Sequence, residues 1–233
     1  MARRYCRTAI ALKLSPLWEV VDLLLTKEEW NRALSKRHGQ NLQNKLLSAT
    51  VAICGLGGLG SNIAIALARA GVGKLILIDF DRVDITNLNR QQYKANQIGM
   101  YKTEALKENI KEIAPYVDLE TITARITEDN AVELLKGADI ICEAFDGAEA
   151  KAMLTNIVLE KMPEKYFVAA SGMAGIGSAN AIKTRRVSKR FYICGDGTSD
   201  VKEEESLVAP RVMLCAAHQA HTVIRLLAEQ FEA

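Results

Sequence analysis

The chain is predicted to be an α/β protein built on a doubly wound, mostly parallel sheet, and three observations lead there. Short apolar runs rich in β-branched residues recur, beginning with Thr50-Val-Ala-Ile-Cys54 and Lys74-Leu-Ile-Leu-Ile-Asp79. Segments of helical periodicity separate them. The runs are apolar almost throughout rather than alternating, as strands covered on both faces require.

The elements follow in order. Residues from about Pro16 to Leu47 are predicted helical, because Leu17, Val20, Val21, Leu24 and Leu25 recur at helical spacing. Thr26, before Lys-Glu-Glu, is a candidate N-cap of a second helix in that region. Thr50–Cys54 is too short for a helix and is bounded by glycine. Gly55-Leu-Gly-Gly-Leu-Gly60 follows, then an alanine-rich helix over Ser61–Gly71 and a strand over Lys74–Asp79. Further helices are expected over Gly99–Ile113, Glu128–Lys136 (capped by Gly137) and Ala148–Met162 (ended by Pro163). Strands are expected over Val117–Thr123, Asp139–Glu143 and Tyr166–Ala170.

After Ser171 the glycines Gly172, Gly175 and Gly177 break the rhythm. A hairpin is predicted from Ala179–Lys183 and Phe191–Cys194 around a basic turn, Arg185–Arg190. The polar stretch Gly195–Ser206 reads as a mobile loop, and Pro210–Gln230 as a closing helix with Val212, Leu214, Val223, Leu226 and Leu227 on its apolar side. The organisation is a helical N-terminal extension, 1–48, before a single α/β unit, 49–233.

Composition narrows the function classes. Thirty Lys+Arg against 28 Asp+Glu leave a net charge of +2. That is too small an excess for bulk neutralisation of nucleic-acid phosphates, and too small for disorder. No run approaches the ~20 apolar residues that span a bilayer. The basic start Met-Ala-Arg-Arg-Tyr-Cys-Arg is followed by an apolar patch that Lys13 cuts short, so a cytoplasmic protein is expected. The five cysteines Cys6, Cys54, Cys142, Cys194 and Cys215 are scattered and mostly lie in apolar runs, which argues against a disulfide framework.

Gly55-x-Gly57-x-x-Gly60 lies between a strand and a helix, the context in which glycines let the backbone approach a phosphate at a helix N-terminus. Asp79 ends the next strand about 20 residues on, where a carboxylate can hold ribose hydroxyls. The predicted fold is therefore Rossmann-like. Beyond that strand, Asp79-Phe-Asp81 and Asn87-Leu-Asn-Arg90-Gln91 place carboxylates, amides and a guanidinium on the edge where ligands bind. A clamp on a terminal phosphate needs cations, which Arg90 and Lys102 supply. Asp146, past the fourth strand, is either a Mg²⁺ ligand or the N-cap of the next helix.

Gly55–Gly60, Ala70-Gly-Val-Gly73, Asp79-Phe-Asp81 and Asn87–Gln91 together resemble the ThiF/MoeB/HesA family of sulfur-carrier adenylyltransferases, relatives of ubiquitin-activating enzymes. The resemblance runs from about Leu34 to Glu229. Around Ser171–Gly175 and Ala209-Pro-Arg211 it is most similar to the shorter ThiF-like branch associated with thiamine biosynthesis. It implies ATP and Mg²⁺ as cofactors, with adenylation of the C-terminal glycine of a small ubiquitin-like carrier ending in Gly-Gly. Asp79 would hold ribose, and Gly55, Gly57, Gly58 and Gly60 would lie against the phosphates. Asn87, Arg90, Gln91 and Lys102 would contact the nucleotide. Arg90, Lys102 and Asp146 would serve catalysis, with Mg²⁺ on Asp146 and Asp81 toward the phosphate side. The resemblance also implies a homodimer. The carrier tail is expected to thread toward Asp146 beneath the 195–206 loop, which would act as a gate, and the near-neutral charge and lack of a spanning apolar run predict no nucleic-acid or membrane partner.

Departures from the family pattern are equally informative. The chain has no CxxC pair, so a structural zinc is not expected, and Cys215, His218 and His221 on one helix are a poor substitute. Cys194 is either a covalent carrier acceptor or a buried small hydrophobe. Arg37 is either a cation reaching the partner's ATP or a solvated helix end. The Arg185–Arg190 run is a solvated turn or a steering surface for an acidic carrier. Other readings are activation of a molybdopterin-pathway carrier or of a modified tRNA base, an NAD-binding redox enzyme, and a non-catalytic carrier scaffold.

Overall fold

A computed structural model describes residues 25–200 and 206–232. The helical pattern over Leu17–Leu24 and the stretch 201–205 lie outside the described residues. Among the described residues, seven strands form one sheet: β1 (Thr50–Cys54), β2 (Lys74–Ile78), β3 (Asp118–Ile122), β4 (Ile140–Glu143), β5 (Tyr166–Ala170), β6 (Lys183–Arg186) and β7 (Phe191–Gly195). Their order is β3-β2-β1-β4-β5-β7-β6. All neighbours are parallel except the β6–β7 hairpin at the edge.

Among the described residues, seven α-helices accompany the sheet: α1 (Lys27–His38), α2 (Gln40–Ser48), α3 (Gly58–Ala70), α4 (Lys102–Ile113), α5 (Ala131–Leu135), α6 (Ala148–Lys161) and α7 (Ala209–Leu227). Alternate strand residues supply the two cores. Val51, Ile53, Leu75, Leu77, Cys142 and Val168 pack with α3, α4 and α7. Ala52, Cys54, Ile76, Ile78, Ile141 and Phe167 pack with α5 and α6. This two-sided burial explains why the strands carry no polar alternation.

Several boundaries move for local reasons. Thr26 caps α1 as expected, through a capping box with Glu29. The helix expected from Gly99 begins at Lys102, because Tyr101 bridges Arg82 and the Lys102 N–H donates to the Asp81 carbonyl at 2.9 Å. The helix expected over Glu128–Lys136 shortens to α5, since the Asn130 side chain accepts the Thr127 N–H in a preceding turn. The first hairpin strand is Lys183–Arg186 rather than Ala179–Lys183. Ser178 caps a 3-10 turn over Ala179–Ala181, and Arg185 and Arg186 therefore belong to the strand rather than the turn.

The expected mobility of 195–206 is also revised at its described start. Asp196 and Gly197 donate backbone N–H groups to Gly172 and Ser171 carbonyls at 3.0 and 2.9 Å. Arg211 meets the Asp196 carboxylate at 2.6 Å, with both side chains buried.

Candidate nucleotide-binding site

From β1 the sheet winds one way through β2 to β3, and from β4 the other way through β5. A crevice opens at the carboxyl ends of strands at such a switch point. Cys54 and Glu143, the last residues of β1 and β4, pair in register at its floor. The Gly55–Gly60 loop leaves one strand, and the turn carrying Asp146 leaves the other.

The protein itself requires two of the glycines. Gly55 has φ +91°, and a Cβ there would lie 2.8 Å from the Ala144 carbonyl oxygen. A Cβ on Gly60 would lie 1.8 Å from the Gly55 carbonyl oxygen. Gly57 differs, since its Cβ would meet only Gln91 Nε2, at 3.9 Å. Gly57 is the N-cap of α3 and no side chain caps that end, so the first-turn N–H groups remain available to an anion.

The expected ligands gather around this loop. Asp79 is buried; its Oδ2 accepts the Leu56 N–H at 2.6 Å and its Oδ1 the Asp81 N–H at 2.7 Å. Each oxygen keeps a further lone pair for a hydroxyl donor. The Lys102 ammonium is buried and donates to Asp81 Oδ2 at 3.0 Å, so Asp81 orients that cation. The Arg90 stem lies over Gly58, and its Nη1 donates to the Thr86 carbonyl and to Asn89 Oδ1. Asn87 closes a capping box with Asp84, accepting the Asp84 N–H at 3.0 Å, which leaves its amide nitrogen for other partners. Gln91 is buried against Gly57 with no hydrogen-bond partner for its Oε1. An orphaned acceptor beside an open cradle is an opening for a ligand donor.

Asp146 is exposed and has no hydrogen bond or ion pair among the described residues. It does not cap α6; Gly147 occupies that position. The other expected candidates sit apart. Cys194 is fully buried in β7 beside Thr184 and Thr222, and burial raises its thiol above the usual range. That placement matches the packed-hydrophobe reading and presents no accessible nucleophile. Arg37 is exposed in the last turn of α1. This helix meets α3 at Gly71, whose Cβ would touch Leu34. That is the far end of a 13-residue helix from the glycine loop, on the order of 20 Å away. Cys215 donates to the Cys194 carbonyl and His218 contacts Thr184. No three metal-ligating side chains gather among the described residues.

Two ion pairs next to the site escaped the sequence reading. Glu143, 1% exposed, pairs with Lys151 at 2.9 Å. Arg211 pairs with Asp196 and also donates to the carbonyls of Ala174, Gly177 and Ser178. A charged residue ending the otherwise apolar run Ile140–Glu143 was the available signal for the first. Nothing local signalled the second.

Comparison with known proteins gives consistent likenesses. A sequence profile described as the ThiF family matches residues 30–232. The adenylyltransferase and sulfurtransferase UBA4 of Lodderomyces elongisporus is 29% identical over 193 residues, covering 80% of this chain and 42% of that one. The molybdopterin-synthase adenylyltransferase of Haemophilus influenzae is 38% identical over 113 residues, 48% of this chain and 46% of that one. The chain thus spans less than half the length of these curated relatives. In fold, it matches the E. coli tRNA N6-threonylcarbamoyladenosine dehydratase solved with ATP, at TM-score 0.77 and 21% identity. That match covers 89% of this chain and 98% of the other.

Proposed function

Because the chain belongs to the ThiF family, we propose that it is an ATP-dependent adenylyltransferase that activates the C-terminal glycine carboxylate of a small ubiquitin-like sulfur carrier, in thiamine biosynthesis. One observation carries this reading. The uncapped start of α3, Asp79 and Arg90 contact the glycine loop, Lys102 pairs with Asp81 beside Asp79, and Asp146 lies in the turn after β4 that abuts the same loop. An NAD site has no use for two cations beyond the ribose position, and a scaffold has no use for either.

In the proposed reaction, a carrier carboxylate oxygen attacks the α-phosphorus of ATP. The α–β anhydride bond breaks, the acyl-adenylate forms, and pyrophosphate departs. Asp79 accepts from ribose hydroxyls. The α3 N–H groups and Gly57 receive the phosphates, while Gln91 Oε1 takes up a donor. Arg90 and Lys102 offset the charge that builds on the departing pyrophosphate. No protein nucleophile is required for this step.

Mg²⁺ fits the residues present. Asp146 is an exposed, unengaged carboxylate, and Mg²⁺ is commonly held by one or two carboxylates together with phosphate oxygens and water. Bound there, it would neutralise charge on the triphosphate.

A homodimer is part of the proposal. No described helix is long and apolar enough to cross a membrane. A cytoplasmic location is proposed.

A second reading, activation of a modified tRNA base, is favoured by the edge hairpin. It places Lys183, Arg185, Arg186, Lys189 and Arg190 close together at the sheet edge, where they can meet phosphates. ATP–pyrophosphate exchange decides between the readings. Exchange that needs a Gly-Gly-ended carrier supports the first, and a molybdopterin-pathway carrier in the same panel identifies the pathway. Exchange that needs tRNA supports the second. Absence of exchange with either overturns both.

A further inference from the structure

The turn that presents Asp146 has a buried fastening. Glu143 closes β4, and its Oε1 accepts the Phe145 N–H at 2.7 Å and the Lys151 ammonium at 2.9 Å. Its Oε2 accepts Lys151 again at 3.1 Å and the Ala170 N–H at 3.5 Å. Lys151 also donates to the Ala170 carbonyl at 3.2 Å. Its three N–H bonds therefore meet three acceptors, and none is left for a substrate. The backbone continues the fastening. The Lys151 N–H reaches the Gly147 carbonyl, the Ala144 N–H reaches the Cys54 carbonyl, and Gln219 Nε2 holds the Glu143 carbonyl.

We propose that the Glu143–Lys151 pair is a positioning device for Asp146, fixing both ends of the Ala144–Gly147 turn and cancelling a buried negative charge beside the nucleotide phosphates. What Asp146 does once positioned rests on the adenylyltransferase reading; the fastening itself does not. Three features support the proposal. A carboxylate 1% exposed is costly without a partner, and its partner comes from the second turn of the helix that Asp146 precedes. The turn abuts the glycine loop, since a Cβ on Gly55 would meet both Ala144 and Phe145. Gly147 leaves α6 without a side-chain cap, so the turn has no other side-chain anchor at its helical end. The pair also joins the turn to the end of β5, so one lysine registers Asp146 against two strands.

The test uses the full chain and two measurements. The first is hydrogen exchange of the free protein. In Lys151→Met, amides of 144–147 should exchange at least about tenfold faster while β1 and β2 stay protected. Lys151→Arg, whose guanidinium can span Glu143 and Ala170, should restore protection. The second is ATP affinity with Mg²⁺ and with EDTA. Lys151→Met should lose about tenfold in the Mg²⁺ condition and change less than about twofold in EDTA. The same substitution on an Asp146→Asn background should cost nothing further.

Should Lys151→Met not fold, the neutral pair Glu143→Gln/Lys151→Met takes its place with the same expectations. Unchanged exchange over 144–147 overturns the proposal. So does a loss of equal size with and without Asp146. If the native chain shows no Mg²⁺-dependent ATP binding, the adenylyltransferase reading of Asp146 falls, and the exchange result alone decides the positioning role.

Discussion

The Asp79 carboxylate holds the glycine loop directly, through the Leu56 N–H at 2.6 Å. A residue suited to ribose thus also shapes the phosphate cradle. Because Asp79 Oδ1 takes the Asp81 N–H as well, both carboxylate oxygens face donors.

Asp79→Asn must therefore turn an amide N–H toward one of two backbone donors. The expected cost is about 1–3 kcal/mol in urea unfolding. ATP affinity should weaken in step, because the loop loses its tether. An unfolding midpoint equal to that of the native chain would show that the tether is dispensable.

The glycines separate structure from binding. Gly60→Ala forces a Cβ to within 1.8 Å of a backbone oxygen and should lower stability by about 3 kcal/mol or more. Gly57→Ala meets only Gln91 Nε2, at an ordinary contact distance of 3.9 Å, so its thermal midpoint should stay near that of the native chain while ATP affinity falls about tenfold or more. Equal behaviour of the two variants in both assays counts against a phosphate at Gly57.

Among the described residues, the Arg90 guanidinium donates only to oxygens of its own turn, at Thr86 and Asn89, so its removal should barely touch the fold. Arg90→Ala should slow pyrophosphate exchange by about 10²–10³-fold. Arg90→Lys should recover part of that, since a point charge replaces a fork. An exchange rate in Arg90→Ala within twofold of the native rate removes Arg90 from the chemistry.

The Asp196–Arg211 pair predicts a pH dependence. Burial disfavours ionisation of Asp196. Hydrogen bonds from the Ser199 and Thr198 N–H groups, the Ser199 hydroxyl and the Arg211 guanidinium outweigh it and hold the carboxyl well below the usual range. A carboxyl depressed in the folded state lends stability above its unfolded pKa, near 3.9, and that stability is lost as pH falls below it. Asp196→Asn should cost about 3–5 kcal/mol at pH 7, because it leaves the buried Arg211 unpaired. Urea titrations should show the gap narrowing from about pH 4 downward. A gap that stays constant with acidification removes the ionised pair as its source.

All four described cysteines are buried, and burial raises each thiol, Cys215 to about 12. Alkylation at pH 8 followed by mass spectrometry should leave Cys54, Cys142, Cys194 and Cys215 unmodified until denaturant is added. Fast labelling of Cys194 in the native chain would restore it as a carrier acceptor.

The elements read most accurately in sequence are those specified by neighbouring residues. Thr50–Cys54 and Tyr166–Ala170 are apolar from end to end and flanked by breaks, and their bounds are those observed. The expectations that moved were those in which a distant group intervened. Gly99–Tyr101 left its expected helix for a bridge to Arg82, and Gly195–Ser199 was drawn in by Arg211 from another element. The first hairpin strand shifted for a local reason that periodicity alone does not carry, the Ser178 cap.

The sequence by itself determined the order of strands and helices, the glycine cradle and the family, because apolar runs, helical spacing and glycine placement act over a few residues. Only the tertiary structure decided which charges meet. Lys102 is oriented by Asp81 across 21 residues, Lys151 secures the turn of Asp146 through Glu143, and Cys194 is packed into the core. Those choices depend on where the sheet reverses its winding and which helix faces which strand end. Coulombic and hydrogen-bond partners are fixed by that distance in space, and periodicity along the chain does not encode it.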